Sequence, residues 1–432
     1  MYTNQLIDFI EKSPTAFHAA EQLANMLTQS GAKELFENES WAIKEGEKYF
    51  VRRNSSAIIA FSVPKKSYEG FMLVSSHSDS PSFKIKPNPQ INTAGLYTSL
   101  NTERYGGMIY STWFDRPLSI AGRVILEDKT GVRETLINID RDLLMIPNIA
   151  PHLDAAANKK ESYDLQTELI PLLSLGDTKN IFVSLIAEAA NTTPEKILSS
   201  DLFLYNRDKG SIWGANNEFF SAPRIDNLQC AFSSAKAFIN SDNKSSVTVM
   251  AVFDNEEVGS GTRQGALSTF LLEVLKRINS ACSKTETDYF KDIASSMALS
   301  ADNGHTVHPN YSSKHDVTNK PVLNGGVLIK HNAAQKYTTD AVSEAILKKI
   351  LRENNIPYSH YVNRSNIAGG STLGHLSTEQ VSMLCADIGA AQLAMHSAYE
   401  TGGTEDTGHL INTMTAFFNT TLKKANNGYE LQ

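Results

Sequence analysis

Apolar residues in this chain follow two rhythms. Short uninterrupted runs at 71–74, 247–253, 297–299, 327–329 and 383–386 end in polar residues, the pattern of strands buried on both faces of a parallel sheet. Between them, apolar positions three and four residues apart mark helices. Leu6, Phe9 and Ile10 predict a first helix, and Leu23, Met26 and Leu27 predict a second after the break at Ser13-Pro14-Thr15. Further helices are predicted over 229–238, 267–278, 341–351 and 410–418. Residues 48–52 and 56–63 predict a hairpin turning at Asn54-Ser55. Strands alternating with helices predict an α/β fold.

Between Thr93 and about Asp201 the rhythm changes to every second residue. Segments 107–114, 118–126 and 132–139 alternate, the last two joined by a turn at Asp128-Lys129-Thr130-Gly131, and a polar loop follows over 154–164. This is antiparallel β material. With 432 residues, the chain is too long for one compact core. The expected division is a catalytic α/β domain made of residues 1–92 and 203–432, interrupted by a β domain at 93–202.

Composition narrows the class. Hydrophobic content of 41% and charged content of 20% are ordinary for a globular protein, and the formal net charge of −7 with no basic run argues against a nucleic acid or an anionic membrane as partner. Three widely spaced cysteines, Cys230, Cys282 and Cys385, form no disulfide framework and no thiolate metal knuckle. No apolar run approaches the roughly 20 residues of a membrane span, and residues 1–17 lack the layout of a signal peptide. A reducing, cytoplasmic location is expected.

The polar residues that end the buried runs carry the chemistry. One run leads into His77-Ser78-Asp79-Ser80-Pro81, another into Asp254-Asn255-Glu256-Glu257, a third into Asp302-Asn303-Gly304-His305. Ligands collect at the carboxyl ends of strands in open α/β sheets. A histidine with a carboxylate two residues on can bind a metal with support from behind, although each site alone also reads as a solvated loop. Adjacent glutamates can divide water activation, one holding a cation and the other accepting a proton. Asp226 reads either as a helix cap or as a ligand, and His396 sits near another helix start. Two histidines with three or four carboxylates suit two divalent first-row ions, zinc foremost. Gly259-Ser260-Gly261 lacks the lysine and spacing of a phosphate loop.

These motifs, with Arg224-Ile225-Asp226-Asn227, His308-Pro309-Asn310-Tyr311, Ala394-Met395-His396-Ser397 and Trp113-Phe114-Asp115-Arg116-Pro117, strongly resemble the aspartyl aminopeptidase family of di-zinc metallopeptidases. The order and spacing agree across nearly the whole chain. The resemblance implies a mixed-sheet zinc-exopeptidase catalytic domain with an inserted antiparallel β domain. It implies two Zn2+ per subunit, with Mn2+ or Co2+ as substitutes. His77 and Asp302 would hold one ion, Glu257 and His396 the other, and Asp226 would bridge them. Glu256 would be the general base and Asp79 would fix the ring of His77. The insert would build dimers within a dodecamer, His152 reaching a neighbour's active site. Lys330 would supply positive charge to an acidic side chain of the peptide substrate. The rival readings are a preference for neutral or basic amino-terminal residues, a carboxypeptidase or deacylase on the same fold, and a non-enzymatic assembly protein.

Overall fold

A computed structural model describes residues 2–65 and 67–432. Helices α1 (Tyr2–Glu11) and α2 (Ala16–Gln29) open the chain, and Leu6, Phe9, Ile10, Leu23 and Leu27 all point into the core as their spacing predicts. Strands β1 (Lys33–Leu35), β2 (Lys48–Arg53), β3 (Ala57–Ser62) and β4 (Phe71–His77) follow. The β2–β3 hairpin turns at Asn54 and Ser55, both in left-handed backbone with φ of 56°.

The chain then enters a separate antiparallel sheet. Strands β5 (Ser82–Thr93), β6 (Tyr97–Tyr105), β7 (Leu118–Asp128), β8 (Gly131–Asn138), β9 (Leu172–Leu175) and β10 (Ile197–Asn206) lie in the order β8-β7-β10-β5-β6-β9. Helix α3 (Ile181–Ala189) lays Ile186 against their common core. The sheet spans 82–206, so the bounds expected at 92/93 and 202/203 cut through β5 and β10. The alternation that places β5 here begins at once, with Phe83 and Ile85 buried on either side of a half-exposed Lys84. Segment 107–114, expected as a strand, is irregular with a 3-10 turn at Tyr110–Trp113. Its neighbours Trp113 and Phe114 are both buried, and two consecutive inward side chains are incompatible with strand alternation.

The remainder completes the α/β layer with β11 (Ser211–Trp213), β12 (Phe219–Ala222), α4 (Ile225–Asn240), β13 (Val247–Phe253), α5 (Phe270–Ala281), α6 (Glu286–Ala294), β14 (Met297–Ala301), β15 (Gly304–His305) and β16 (Val327–Lys330). It ends with α7 (Ala341–Glu353), β17 (Tyr358–Tyr361), α8 (Leu373–Gln380), β18 (Leu384–Gly389), β19 (Ala391–Leu393), β20 (Glu400–Gly403), α9 (Asp406–Phe418) and the antiparallel pair β21 (Leu422–Ala425) and β22 (Gly428–Leu431). A nine-stranded mixed sheet runs β1-β2-β3-β13-β4-β14-β18-β16-β17, with β13, β4, β14 and β18 parallel neighbours at its centre. Every residue of β4, β13, β14 and β16 is buried, which explains their uninterrupted apolar runs. Met72, Val74, Met250, Val252 and Leu299 face α4 and α9 on one side. Phe71, Leu73, Val249, Phe253 and Ala298 face α5 and α8 on the other. A smaller sheet, β11-β12-β20-β19-β15, flanks the carboxyl ends of the central strands.

Candidate metal centre

Three adjacent strand ends start the site. The register of β13 on β4 sets Phe253 beside His77, and β14 on the far side of β4 delivers Asp302 as its first residue beyond the strand. Past β13, Asn255 turns the chain with φ of 61°, and Glu256 and Glu257 follow in a single 3-10 turn. Asp226 lies in the first turn of α4, where Arg224 is left-handed at φ of 59° and the Asp226–Asn227 peptide is cis. No side chain caps that helix, so the capping role does not apply to Asp226. His396 stands at φ of 67° in the connection from β19 to β20.

These side chains converge as two triads that share one residue. Asp226 Oδ1 is 3.7 Å from His77 Nε2, which is also 3.7 Å from Asp302 Oδ1. The other oxygen, Asp226 Oδ2, is 3.4 Å from His396 Nε2, itself 3.5 Å from Glu257 Oε2. Within each triad the ligand atoms lie within 4.8 Å of one another. Two donors on one tetrahedral zinc stand about 3.3 Å apart at ordinary bond lengths, so the observed spacing fits. The buried atoms Asp226 Oδ1 and Glu257 Oε1 have no hydrogen-bond partner. Lone pairs left free in this way are costly unless a cation takes them.

Charge tells the same story. Burial pushes Glu256 up to about 8, opposed by His77 and reinforced by Asp302, Asp79 and Asp226. Burial also raises Glu257 well above the usual carboxylate range. His396 is drawn down by burial yet held up at about 10 by Asp226 and Glu257, and His77 likewise rises against burial through Asp302 and Asp79. A buried cluster that pulls protons onto imidazoles and carboxylates carries more negative charge than its surroundings balance, and bound cations would balance it.

Behind the triads stands a layer of charged groups bound to the backbone. Asp79, 3% exposed, accepts the N–H of Glu256 on Oδ1 and that of Glu257 on Oδ2, each at 3.1 Å. It also accepts the Tyr105 hydroxyl at 2.7 Å, and its Oδ1 lies 3.3 Å from His77 Nδ1. Asn255 donates to the same Tyr105 hydroxyl at 2.8 Å. On the opposite side Glu400 accepts the N–H of His396 at 2.7 Å and that of Asp226 at 3.0 Å. Lys330 donates to the carbonyl oxygens of Asp302 and Asn303 at 3.0 and 3.1 Å. Glycine admits two close approaches. A Cβ on Gly389 would stand 1.9 Å from the Asp302 carbonyl oxygen, and one on Gly106, at φ of 75°, would stand 3.0 Å from Glu257 Cβ. Gly106 and the irregular segment after it bring the β domain over the site, where Ile109 donates its N–H to the His396 carbonyl at 2.9 Å.

The structure thus brings together His77, Asp79, Asp226, Glu256, Glu257, Asp302 and His396. It corrects the expectation for Lys330, whose ammonium is buried behind Asp302 and engaged by two carbonyls rather than free to meet a substrate. Other basic groups line open space nearby. A cavity of about 250 Å³ beside the His396 turn is lined by His305, His308, Lys314, His315 and Arg364. His152 is exposed in a β-domain loop, apart from the cluster. Sequence reasoning missed Glu400 and Tyr105. Their signals were slight, a carboxylate four residues after His396 and an aromatic preceding Gly106-Gly107.

Comparison with known proteins places this arrangement. Residues 9–418 match the family model described as aminopeptidase I zinc metalloprotease (M18). A probable M18 family aminopeptidase 2 of Clostridium acetobutylicum is 40% identical over 97% of this chain and 98% of its own length. Aspartyl aminopeptidase 1 of Schizosaccharomyces pombe is 38% identical over 95% of this chain and 93% of its own. Among solved structures, the cryo-EM Ape4 and Nbr1 complex superposes with a TM-score of 0.92 at 37% identity, covering 96% of this chain and 85% of that one. The mApe1 dodecamer of S. cerevisiae gives 0.84 at 26% identity, covering 96% of each chain.

Proposed function

The chain belongs to the M18 family of zinc aminopeptidases, and from that premise we propose that its paired triads hold two zinc ions for the removal of single amino-terminal residues from peptides. The observation that carries this reading is Asp226, whose two oxygens face His77 and His396 separately. His77 and Asp302 would complete one site and Glu257 and His396 the other. Bound there, the ions would lower the pKa of a water molecule and polarise the peptide carbonyl it attacks. Glu256 belongs to neither shared triad, and its Oε2 lies 4.0 Å from His77 Nε2. Burial raises its carboxyl to about 8 in the metal-free cluster, and two bound cations would draw it back toward the deprotonated form that a general base needs. Glu256 takes the proton of the attacking water and returns it to the leaving amine. Asp79 holds the turn that aims it.

An acidic amino-terminal residue is the preferred substrate in this reading. Lys314 and Arg364 supply fixed positive charge to the cavity beside the centre, and no carboxylate is among its lining residues. Lys330 then acts indirectly, by fixing Asp302. Homo-oligomers, dodecamers built from dimers, are supported by the β domain. Its surface exposes Leu96, Val132, Ile149, Leu153, Leu175 and Leu198, apolar side chains that an interface between copies would cover. His152, between Ile149 and Leu153, would sit in such an interface and reach a neighbour's centre. No helix among the described residues is long and apolar enough to cross a membrane, and the three cysteines are free, in keeping with a cytoplasmic enzyme.

Glu256→Gln tests the mechanism. Zinc content should stay at two per chain by elemental analysis while turnover falls by about 10²–10⁴, the usual cost of losing a general base. Turnover within tenfold of the parent would remove Glu256 from that role.

A further inference from the structure

A third group of ligand side chains lies on the opposite face of the sheet from Lys330. Parallel pairing of β16 with β17 sets Ile329 beside His360 and Lys330 beside Tyr361. Side chains alternate along strands, so His360 and His331 share the face that α7 covers, while Lys330 and Tyr361 share the other. Glu344, in the first turn of α7, completes the group. Its Oε1 is 2.7 Å from His360 Nε2 and 3.7 Å from His331 Nε2. The two imidazole rings are 5.7 Å apart between centroids. One ligand atom from each residue lies within 4.8 Å of the others.

We infer that His331, Glu344 and His360 form an accessory site for a divalent first-row transition ion, separate from the catalytic pair. Three observations support it. The donor set, two imidazoles and one carboxylate, is chemistry suited to zinc, nickel or copper. The separations of 2.7 and 3.7 Å bracket the roughly 3.3 Å between two donors on a tetrahedral zinc. His331 Nε2 is buried without a hydrogen-bond partner, and its distance from Glu344 is too long for a hydrogen bond.

One group competes. Lys348, one turn further along α7, lies 3.3 Å from Glu344 Oε1. Its ammonium ends a flexible stem and can swing into water when a cation takes the carboxylate. Side-chain exposures of 28%, 20% and 37% for His331, Glu344 and His360 leave room for water on the remaining positions. The ion would tie β16, β17 and α7 together at the outer edge of the sheet, one residue from the lysine that holds Asp302.

The test is calorimetric titration of the zinc-loaded enzyme with Zn2+, with thermal melting in Ni2+ alongside. One further binding event per chain is expected, together with a rise in melting temperature. His331→Ala/His360→Ala should abolish both while retaining two zinc ions per chain after desalting. Glu344→Gln should weaken the event at least tenfold, and Lys348→Gln, by removing the competitor, should strengthen it severalfold. An equal further event in parent and double-histidine variant, or none in the parent, would overturn the assignment. Should the double variant not fold, opposite shifts in Glu344→Gln and Lys348→Gln sustain the site, and equal affinities in those two overturn it.

Discussion

Asp79→Asn separates a residue that holds the metal centre together from one that merely lies beside it. The change keeps the size and shape of the side chain but replaces one acceptor oxygen with an amide NH2. Oδ1 receives the N–H of Glu256, and Oδ2 receives the N–H of Glu257 and the Tyr105 hydroxyl. Whichever way the amide is turned, a donor faces a buried backbone N–H. An unsatisfied buried donor costs about 1–3 kcal/mol. If the 256–257 turn shifts to relieve it, that cost falls on the placement of the base and of one ligand together. At about 1.4 kcal/mol per factor of ten, kcat/KM should fall by roughly 5- to 150-fold. Zinc affinity should fall about 10- to 100-fold, as expected when support behind a ligand is removed. Tyr105→Phe is the control, because it removes the hydroxyl donor and leaves both Asp79 oxygens accepting the N–H groups of Glu256 and Glu257. The Tyr105 hydrogen bond to the carboxylate is charge-assisted, so the control is read on zinc content, which should stay at the parent's level. The assay is kcat/KM on an aminoacyl chromogenic substrate, with zinc content after dialysis against a graded chelator and a thermal melt to confirm folding. If Asp79→Asn keeps full zinc and kcat/KM within twofold, or if Tyr105→Phe loses as much zinc, the reasoning fails.

Three further outcomes follow from the same structure. Arg364→Ala and Lys314→Ala should each lower the preference for Asp over Leu substrates by about threefold, because both cations lie at the exposed edge of the cavity where charge pairs are screened; an unchanged ranking of Asp, Leu and Lys substrates would show that this cavity does not read the side chain. His18 is held down at about 4 by burial and by Arg224, so below about pH 6.5 the unfolded chain gains a proton that the folded chain refuses. Stability should therefore fall between pH 6.5 and 4, by about 2 kcal/mol at pH 5, and His18→Gln should flatten that part of the melting profile; equal slopes in the two proteins would refute it. Leu175→Glu, at a 77% exposed position of the β domain, should lower the mass seen by light scattering if that surface is an oligomer interface, and an unchanged mass would exclude Leu175 from it.

The parts legible in the sequence were those whose chemistry and position coincide. Strands β4, β13 and β14 are buried on both faces, so their apolar runs could be read directly, and the polar residues at their ends stand out as candidate ligands. Segment 107–114 misled because hydrophobic residues two apart imitate a strand, whereas Trp113 and Phe114 turn inward together. The start of β5 was legible in principle, since Phe83 and Ile85 already alternate with polar neighbours. It was passed over because the segment continues without a break from the His77 motif. Lys330 misled for another reason. A lysine at a strand end beside a metal motif suits substrate recognition as well as it suits a buried cation holding a loop, and only its two carbonyl partners distinguish them.

The layer behind the ligands was illegible for a deeper reason. A metal ligand is chosen for its lone pairs, so its residue type announces the chemistry wherever it stands in the chain. A supporting group is chosen for the backbone donors it must meet, and those are set by the fold. Glu400 accepts the N–H of Asp226 across 174 positions of sequence, and Asp79 accepts those of Glu256 and Glu257 across 177 and 178. No spacing rule connects such residues. What connects them is that both carboxylates grip the backbone of two residues in the ligand and base set at once. Asp79 ties the proposed base Glu256 to the proposed ligand Glu257, and Glu400 ties Asp226 to His396. Each pair shares one anchor, so a change at either support should displace two members of the cluster together, and in the proposed mechanism the spacing of base and ions would depend on residues that touch neither.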